Sequence, residues 1–305
     1  MYSLPQGIEF FQRGWLSSNN VLIHDSEQAV IVDTGYWTHA EQTLALIKTV
    51  IADRGLTAIY NTHLHSDHCG GNSYLQSYFP CVQTLIPPGQ AGFVEHWNPD
   101  ALTYTATGQH CPMFGHSGTL NPGNTFVVGG LTWHIFAAPG HDPHSVVIFN
   151  DLHGILISAD ALWENGFGVV FPEIEGISAF DEVEATLDLI ERLAPKIILP
   201  GHGEPFADVA SAIARARSRL NQFRSFPDKH ANYAAKVLLK FKLLELQECH
   251  RSEFVNWAKG VTLLNLLYTS QCNGYSFGQW INRMCENLEK SGACAFNHNH
   301  IINSN

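Results

Sequence analysis

The pattern of apolar and polar positions changes character once along the chain. "AVIVDTG" (29–35) is a β-branched run stopped by glycine, which predicts a buried strand. In "THAEQTLALIKTVIADRG" (38–55), Leu44, Ile47 and Ile51 recur at helical intervals, and Thr38 and Glu41 have the spacing of a capping box. "LTAIYNT" (56–62) returns to strand, so this order implies a crossover unit in a partly parallel sheet. The short, turn-bounded runs "LTWHIFAAPG" (131–140), "HSVVIFN" (144–150) and "HGILISAD" (153–160) predict a meander. "SAFDEVEATLDLIERLAP" (178–195) predicts a second capped helix, and "KIILPGHG" (196–203) a strand ending in a glycine-flanked histidine. Beyond about residue 202 helical periodicity takes over. "ANYAAKVLLKFKLLELQ" (231–247) is amphipathic, "FGQWINRMCENLEKSG" (277–292) reads as a helix closed by Gly292, and "ACAFNHNHIINSN" (293–305) as a short hairpin.

Charge divides the chain at nearly the same place. Residues 1–215 carry 6 Lys+Arg against 22 Asp+Glu, whereas residues 216–305 carry 11 against 6. An acidic body, 1–215, and a mildly basic tail, 216–305, are therefore expected as two domains, the tail mainly helical and winged-helix-like. At 305 residues and 45% hydrophobic the composition is that of a soluble globular protein. The first residues, "MYSLPQGIEFFQRG", show no basic segment followed by an apolar one, and no run reaches the roughly 18 apolar residues of a membrane span, so the cytoplasm is the expected location and a membrane is not an expected partner. Seven cysteines without a C-x-x-C pair predict reduced thiols. The tail's apolar positions Val237, Leu238, Leu243, Leu244, Leu264 and Leu267 are expected to pack on the body, with a homodimer interface as the alternative.

The chemistry concentrates in "NTHLHSDHCGG" (61–71), with three histidines and an aspartate between His63 and His68. His63, His65 and Asp67 are two apart, which puts them on one side of an extended segment and excludes a common helix face. They follow a predicted strand, where open α/β sheets place their sites. Neutral imidazoles with a carboxylate are the ligand set of zinc and similar divalent ions. His141 in "AAPGHDPHS", Asp160 at the end of "GILISAD" and His202 in "ILPGHGEP" also follow predicted strands, so all seven residues could surround one site at a sheet edge.

The order H-x-H-x-D-H, Gly-His, Asp, Gly-His resembles the metallo-β-lactamase superfamily over roughly residues 15–205, and its glyoxalase II-like branch in the use of Asp160 between two metals. The resemblance implies an α/β fold, an αββα four-layer sandwich, with the metal site at the edge of two sheets. It assigns His63, His65 and His141 to a first metal, Asp67, His68 and His202 to a second, and Asp160 to a bridge between them. Asp33, in "IVDTG", matches an aspartate that supports the site from outside by fixing a ligand tautomer. Two divalent ions, most readily Zn2+ with Fe or Mn as alternatives, would hold a bridging hydroxide. That nucleophile would cleave an ester, thioester or lactone of a small organic substrate, with Asp67 able to protonate the leaving group.

The Gly-Cys-Gly-Arg segment usual after the bridging aspartate of glyoxalase II is absent; the chain reads "ADALWENGFGVVFPE" (159–173). A glutathione thioester is accordingly not the expected substrate. Tyr36, Trp37, Trp163 and Phe167 are candidates for an apolar pocket wall, and His144 for a substrate contact. Cys69 is expected to be a packed thiol, and His110, Cys111 and His116 part of a loop over the site. Two alternatives stand beside the dinuclear hydrolase. One is a metal-dependent endoribonuclease, for which the basic tail would meet nucleic acid. The other is a mononuclear iron persulfide dioxygenase using His63, His141 and Asp160, against which the complete second ligand set argues. β-Lactam hydrolysis is not expected, because typical lactamases lack a tail such as 216–305.

Overall fold

The computed structural model describes residues 4–271 and 274–304. Cys272, one of the seven cysteines, and the first three residues lie outside that range. The first half of the body runs β1 (Ile8–Phe11), β2 (Asn20–His24), β3 (Ala29–Val32), α1 (Ala40–Ile51), β4 (Ala58–Tyr60), α2 (Ser66–Cys69), α3 (Asn72–Tyr78), β5 (Gln83–Ile86), α4 (Ala91–Glu95), α5 (Tyr104–Thr107) and β6 (Gly118–Thr119). These strands form one sheet in sequential order, antiparallel from β1 to β3 and parallel from β3 to β6. The predicted crossover is the unit β3, α1, β4.

The second half runs β7 (Thr125–Val128), β8 (Leu131–Ala137), β9 (Val146–Asn150), β10 (Ile155–Ala159), α6 (Phe171–Ile174), α7 (Phe180–Leu193) and β11 (Ile197–Pro200). The predicted meander is β8 to β10; β7, not among the predicted runs, pairs with β8 at its edge, and β11 adds to β10 in parallel. The remaining elements are α8 (Val209–Ser225), α9 (Pro227–Leu246), β12 (Glu248–His250), α10 (Arg251–Lys259), α11 (Thr262–Ser270), α12 (Phe277–Lys290), β13 (Cys294–Asn297) and β14 (His300–Asn303). The expected C-terminal hairpin is β13 and β14, and β12 pairs with β14 as a third strand.

Side-chain alternation builds the layers. Val30 and Val32 of β3, and Ile155 and Ile157 of β10, point into one core between the two sheets. Ile31 points the other way, onto Ile47 and Ile51 of α1 and Leu75 of α3. Leu156 points outward from the second sheet onto Leu187 and Ile190 of α7 and Leu220 of α8. Helix, sheet, sheet and helix are thus four layers, and both faces of each central strand are apolar because both are covered.

In the tail Leu238, Leu243, Leu264 and Leu267 are buried in one core, which Val169 of the body enters and against which Ala106, Phe171 and Ile174 of the body pack. Leu244 and Phe241 pack on Leu16 and Tyr36 as well. Helix α8 is continuous through residues 215 and 216, and its apolar face belongs to the body's outer core. Helix α1 begins differently from the expected capping box. Trp37–His39 form a 3-10 turn, and Thr38 lies inside it. That turn is held from elsewhere: the Ser17 hydroxyl accepts from the Tyr36 N–H at 2.9 Å and meets His39 Nδ1 at 2.8 Å. No disulfide forms among the described cysteines, and no described helix is long and apolar enough to cross a membrane.

One buried histidine ties tail to body. His230 of α9 accepts from the Val170 N–H through Nε2 at 3.2 Å, and burial pushes its pKa down to about 4. An unfolded histidine titrates near about 6.5. Below that pH the unfolded chain takes up a proton that the folded one refuses, so stability falls between about pH 6.5 and 4, by on the order of 3 kcal/mol. Urea unfolding of the wild type is expected to weaken across this window, and that of His230→Gln to weaken less. Parallel curves for the two proteins would show that the buried imidazole takes up its proton freely.

Candidate metal centre

The seven candidate ligands arrive at one edge of the two sheets because each follows a strand end. Asp33 terminates β3 with φ 58°, a left-handed conformation costly for a residue with a Cβ. Its carboxylate offsets the strain. Oδ1 accepts from the Thr62 N–H at 2.9 Å, and Oδ2 accepts from the Thr62 hydroxyl at 2.8 Å and from His68 Nδ1 at 2.7 Å. The Thr62 hydroxyl, having donated to Asp33, accepts from His63 Nδ1 at 3.1 Å. Both imidazoles therefore carry their proton on Nδ1 and turn Nε2 inward.

The other ligands are fixed as locally. The loop after β4 is held by buried amides: Asn61 donates to the His68 carbonyl at 3.2 Å, and Asn72 donates to Asn61 at 2.7 Å. His141, between β8 and β9, donates from Nδ1 to the Val169 carbonyl at 2.5 Å, which leaves Nε2 unprotonated and turned toward His65. Ala159, with φ 46° at a register shift in β10, delivers Asp160. Asn19 donates to the carbonyls of Pro200 and Gly203 at 2.9 and 2.8 Å and so clamps the turn that carries His202.

These constraints bring the ligand atoms together in three groups, each within 4.8 Å: His63, His65 and His141; His63, His68 and Asp160; Asp67, His68 and His202. His65 Nδ1 lies 2.8 Å from His141 Nε2, and His202 Nε2 lies 3.1 Å from Asp67 Oδ2. Asp160 stands between the sets. Its Oδ2 is 3.4 Å from His141 Nε2, while its Oδ1 is 3.4 Å from His68 Nε2 and 3.9 Å from His202 Nε2. His63 Nε2 and His68 Nε2 are buried with no hydrogen-bond partner among the described residues. A buried polar atom left unpaired costs about 1–3 kcal/mol, and divalent ions accepting these lone pairs would remove that cost. The donor groups are of a kind that could hold such ions.

The electrostatics agree with a cation site. Burial pushes the His63 imidazole well below its ordinary pKa, and neighbouring histidines push the same way. His65 is pushed down to about 4, first by burial and then by His141. Burial raises Asp67 and Asp160, but His68 and His202 outweigh it and hold both carboxyls below the usual range. Burial also disfavours charge on His68; there the carboxylates of Asp33, Asp160 and Asp67 win and raise its pKa. A field that favours a proton on His68 favours a metal cation equally.

The expected pocket residues scatter. Trp163 lines the cavity beside the ligands and donates from Nε1 to Asp160 Oδ1 at 3.2 Å. Phe167 does not line that cavity. It is 1% exposed in the outer core and packs edge-on against Phe223, because the chain turns under at Gly166. Tyr36 is buried against Phe241, Trp37 lies against His110, and His144 covers Gly89, all off the cavity lining. Cys69 is a packed thiol within 3.8 Å of Cys111. Thr107 and Gln109, just before His110, line the cavity, and Gln109 accepts from the Ser66 hydroxyl at 2.5 Å.

Other residues at the centre were not anticipated. Trp15 stacks on His202 with centroids 5.2 Å apart, Phe171 lies against His65 and His141, and Tyr233, Val237 and Phe241 of α9 close the cavity from the tail. Among these, Tyr233, Val237 and Phe241 stand four apart in the amphipathic stretch of α9, whereas Trp15 and Phe171 stand in no periodic pattern. Two glycines are required by close approach: a Cβ at Gly201 would collide with Asp160 Oδ1 and lie 3.0 Å from His68 Cε1, and one at Gly168 would collide with His141 Nδ1.

A family model described as Metallo-beta-lactamase superfamily matches residues 13–202. The chain is 31% identical over 153 residues to a hydroxyacylglutathione hydrolase of Stenotrophomonas maltophilia (strain R551-3), covering 50% of this chain and 48% of that relative. It thus spans about half the length of such relatives. Among solved structures, a beta-lactamase domain protein from Burkholderia ambifaria superposes with TM-score 0.61 at 21% identity, over 88% of each chain. A metallo-beta-lactamase family protein from Thermus thermophilus superposes with TM-score 0.57 at 19% identity, over 99% of this chain and 100% of that one. At these identities the superpositions speak for the fold alone.

The glycine contact makes a sharp test. Gly201→Ala is expected to keep its far-ultraviolet circular dichroism but to bind its second equivalent of zinc about tenfold or more weakly, as judged by competition with a chelating dye. Gly92→Ala, where a Cβ meets nothing within 4 Å, is the control. Unchanged affinity in Gly201→Ala would show that Asp160 is not held where the geometry puts it.

Proposed function

The chain belongs to the metallo-beta-lactamase superfamily, and from that premise we propose that it is a hydrolase that uses two divalent metal ions to cleave an ester, thioester or lactone of a small organic substrate. The observation that carries this reading is the pair of buried Nε2 lone pairs of His63 and His68, each set among other ligand atoms. His63, His65 and His141 would hold one ion, and Asp67, His68 and His202 the other. The carboxylate of Asp160 faces both sets, with one oxygen toward each. Bound divalent ions supply Lewis acidity and lower the pKa of water from 15.7 toward about 7.

The chain's own residues do the rest. Asp33 and Thr62 keep the His63 and His68 tautomers in which Nε2 points inward. Phe171 and Trp163 wall the centre and limit water, which strengthens every charge interaction inside. In hydrolysis the oxygen of water forms a bond to the carbonyl carbon, the C–O or C–S bond breaks, and the leaving atom takes a proton. Asp67 is placed to relay that proton: its carboxylate, ionised beside His68 and His202, would take the proton given up by the attacking water and pass it to the leaving atom, and it lines the cavity. The relative from Stenotrophomonas maltophilia bears the name hydroxyacylglutathione hydrolase, and that supports a thioester in the substrate panel.

Metal content and turnover, measured on the same preparation, test this proposal. The wild type is expected to carry two equivalents of zinc or manganese and to hydrolyse a thioester or lactone until a chelator removes the metal. Asp160→Asn is expected to lose metal from both positions. His202→Ala is expected to lose chiefly one, and both variants to lose more activity than the roughly 10- to 100-fold typical of an outer partner. One equivalent of iron with no hydrolysis would overturn the proposal in favour of a mononuclear dioxygenase. Equal loss of a single metal in both variants would remove Asp160 from the bridge.

A further inference from the structure

The cavity at the metal centre, about 100 Å3, opens into a larger cleft of about 500 Å3 between body and tail. Trp15, Trp163, His202, Tyr233, Val237 and Phe241 line both. Beyond them the larger cleft continues apolar along Leu244 and Leu288 of the tail. Trp15 is 57% exposed, stacks flat on the proposed ligand His202, and meets Trp163 edge-on at 5.4 Å. A tryptophan stacked on a proposed ligand presents an apolar face beside the reacting position.

The cleft's cations differ from the others on the same helices. Arg217 and Arg224 of α8 each hold two carboxylates of α7, and Lys242 of α9 holds Glu245. Arg219 and Lys236, which line the cleft, have no carboxylate partner among the described residues. Arg219 lies over the Tyr233 ring at 4.9 Å and donates to the Phe167 carbonyl at 3.5 Å, both neutral acceptors. Lys240, the third cation of the lining, is occupied by neutral oxygens of Ala293, Asn303 and Ser304. The acidic residues of the lining, Glu164 and Glu204, are exposed, and both belong to the body. In a chain of net charge −11, Arg219 of α8 and Lys236 of α9, neither paired with a carboxylate among the described residues, select where in the cleft a negative group can sit.

The geometry points to an anionic amphiphile as the substrate: an acyl ester or thioester whose apolar part lies along Trp15, Phe241 and Leu288, and whose carboxylate or phosphate is held by Lys236 and Arg219. This rests on the hydrolase reading for the bond that is cleaved, while the binding site stands on the cleft itself.

Binding can be measured without turnover. Two thioethers that the protein cannot hydrolyse serve as probes, S-hexyl-3-mercaptopropanoate and its uncharged carboxamide, titrated against tryptophan fluorescence of the zinc-loaded full chain. The carboxylate is expected to bind about tenfold more tightly than the amide at low ionic strength, and the advantage to shrink at high salt. In Lys236→Met the ratio is expected to fall below about threefold, with Arg219→Gln as the second variant should the first fail to fold. Equal binding of the two probes by the wild type, or a ratio that neither substitution lowers, would overturn the anion site. A short oligouridylate that displaces the carboxylate probe at lower concentration than free hexanoate does would overturn the small-molecule occupant in favour of RNA. The corresponding S-hexanoyl thioesters separate this inference from the one beneath it. Charge-selective binding with no thioester hydrolysis would sink the hydrolase and leave the anion site standing, whereas hydrolysis indifferent to charge would do the reverse.

Discussion

The contact on which the centre depends is the buried carboxylate of Asp33. Through Thr62 it fixes the ring of His63, and directly it fixes the ring of His68. These histidines belong to different proposed metal positions, so one carboxylate orients a ligand of each. It can do so only from a backbone conformation that a residue with a Cβ rarely adopts, at the end of a strand covered on both faces. The strain is tolerated because three donors converge on the carboxylate where no water competes. The core between the sheets thus serves the chemistry indirectly, by holding β3 and β4 in the parallel register that brings Asp33 and Thr62 together.

A second constraint comes from the tail. The segment Gly168–Val170 lies between the sheets of the body and helix α9, and its backbone serves both. The Val169 carbonyl accepts from His141, and the Val170 N–H donates to His230 of α9. The Val169 side chain is buried in the core of tail helices. Packing of the tail therefore reaches the orientation of proposed metal ligands through Val169 and through Phe171, which lies against His65 and His141. Gly168 has no room for a side chain against His141, which keeps this strap close to the ring. The same helix closes the cavity with Tyr233, Val237 and Phe241, so the tail both steadies the centre and shapes what can enter it.

Much of this was legible in the residues. The alternation of two in His63, His65 and Asp67, and the placement of Asp33, His141, Asp160 and His202 after apolar runs, are local signals, and the sheets bring such strand ends to one edge. The helical stripe of α9 was legible too, but its partners were not: it turns into a core of tail helices that Val169 of the body enters, while Phe241 and Leu244 pack on Leu16 and Tyr36. Thr38 and Glu41 carried a cap signal that lost to a turn held by Ser17, a residue some twenty positions away in sequence and adjacent only in the fold.

The pocket shows where sequence reading stops. Phe167 is near Asp160 in sequence yet turns into the outer core, whereas Trp15, in a segment without periodicity, stacks on His202 from the other end of the body. What the sequence determined by itself was the run of strands and helices and the candidate ligand positions, because strand period, turn residues and metal-donor chemistry are properties of short stretches of chain; the four-layer sandwich was implied by the resemblance those residues carry. What only the tertiary structure decided was the cleft: which aromatic side chains face it, which cations stand unpaired, and which helix closes it. Those depend on how surfaces distant in sequence fit together, and no spacing within a segment encodes that fit.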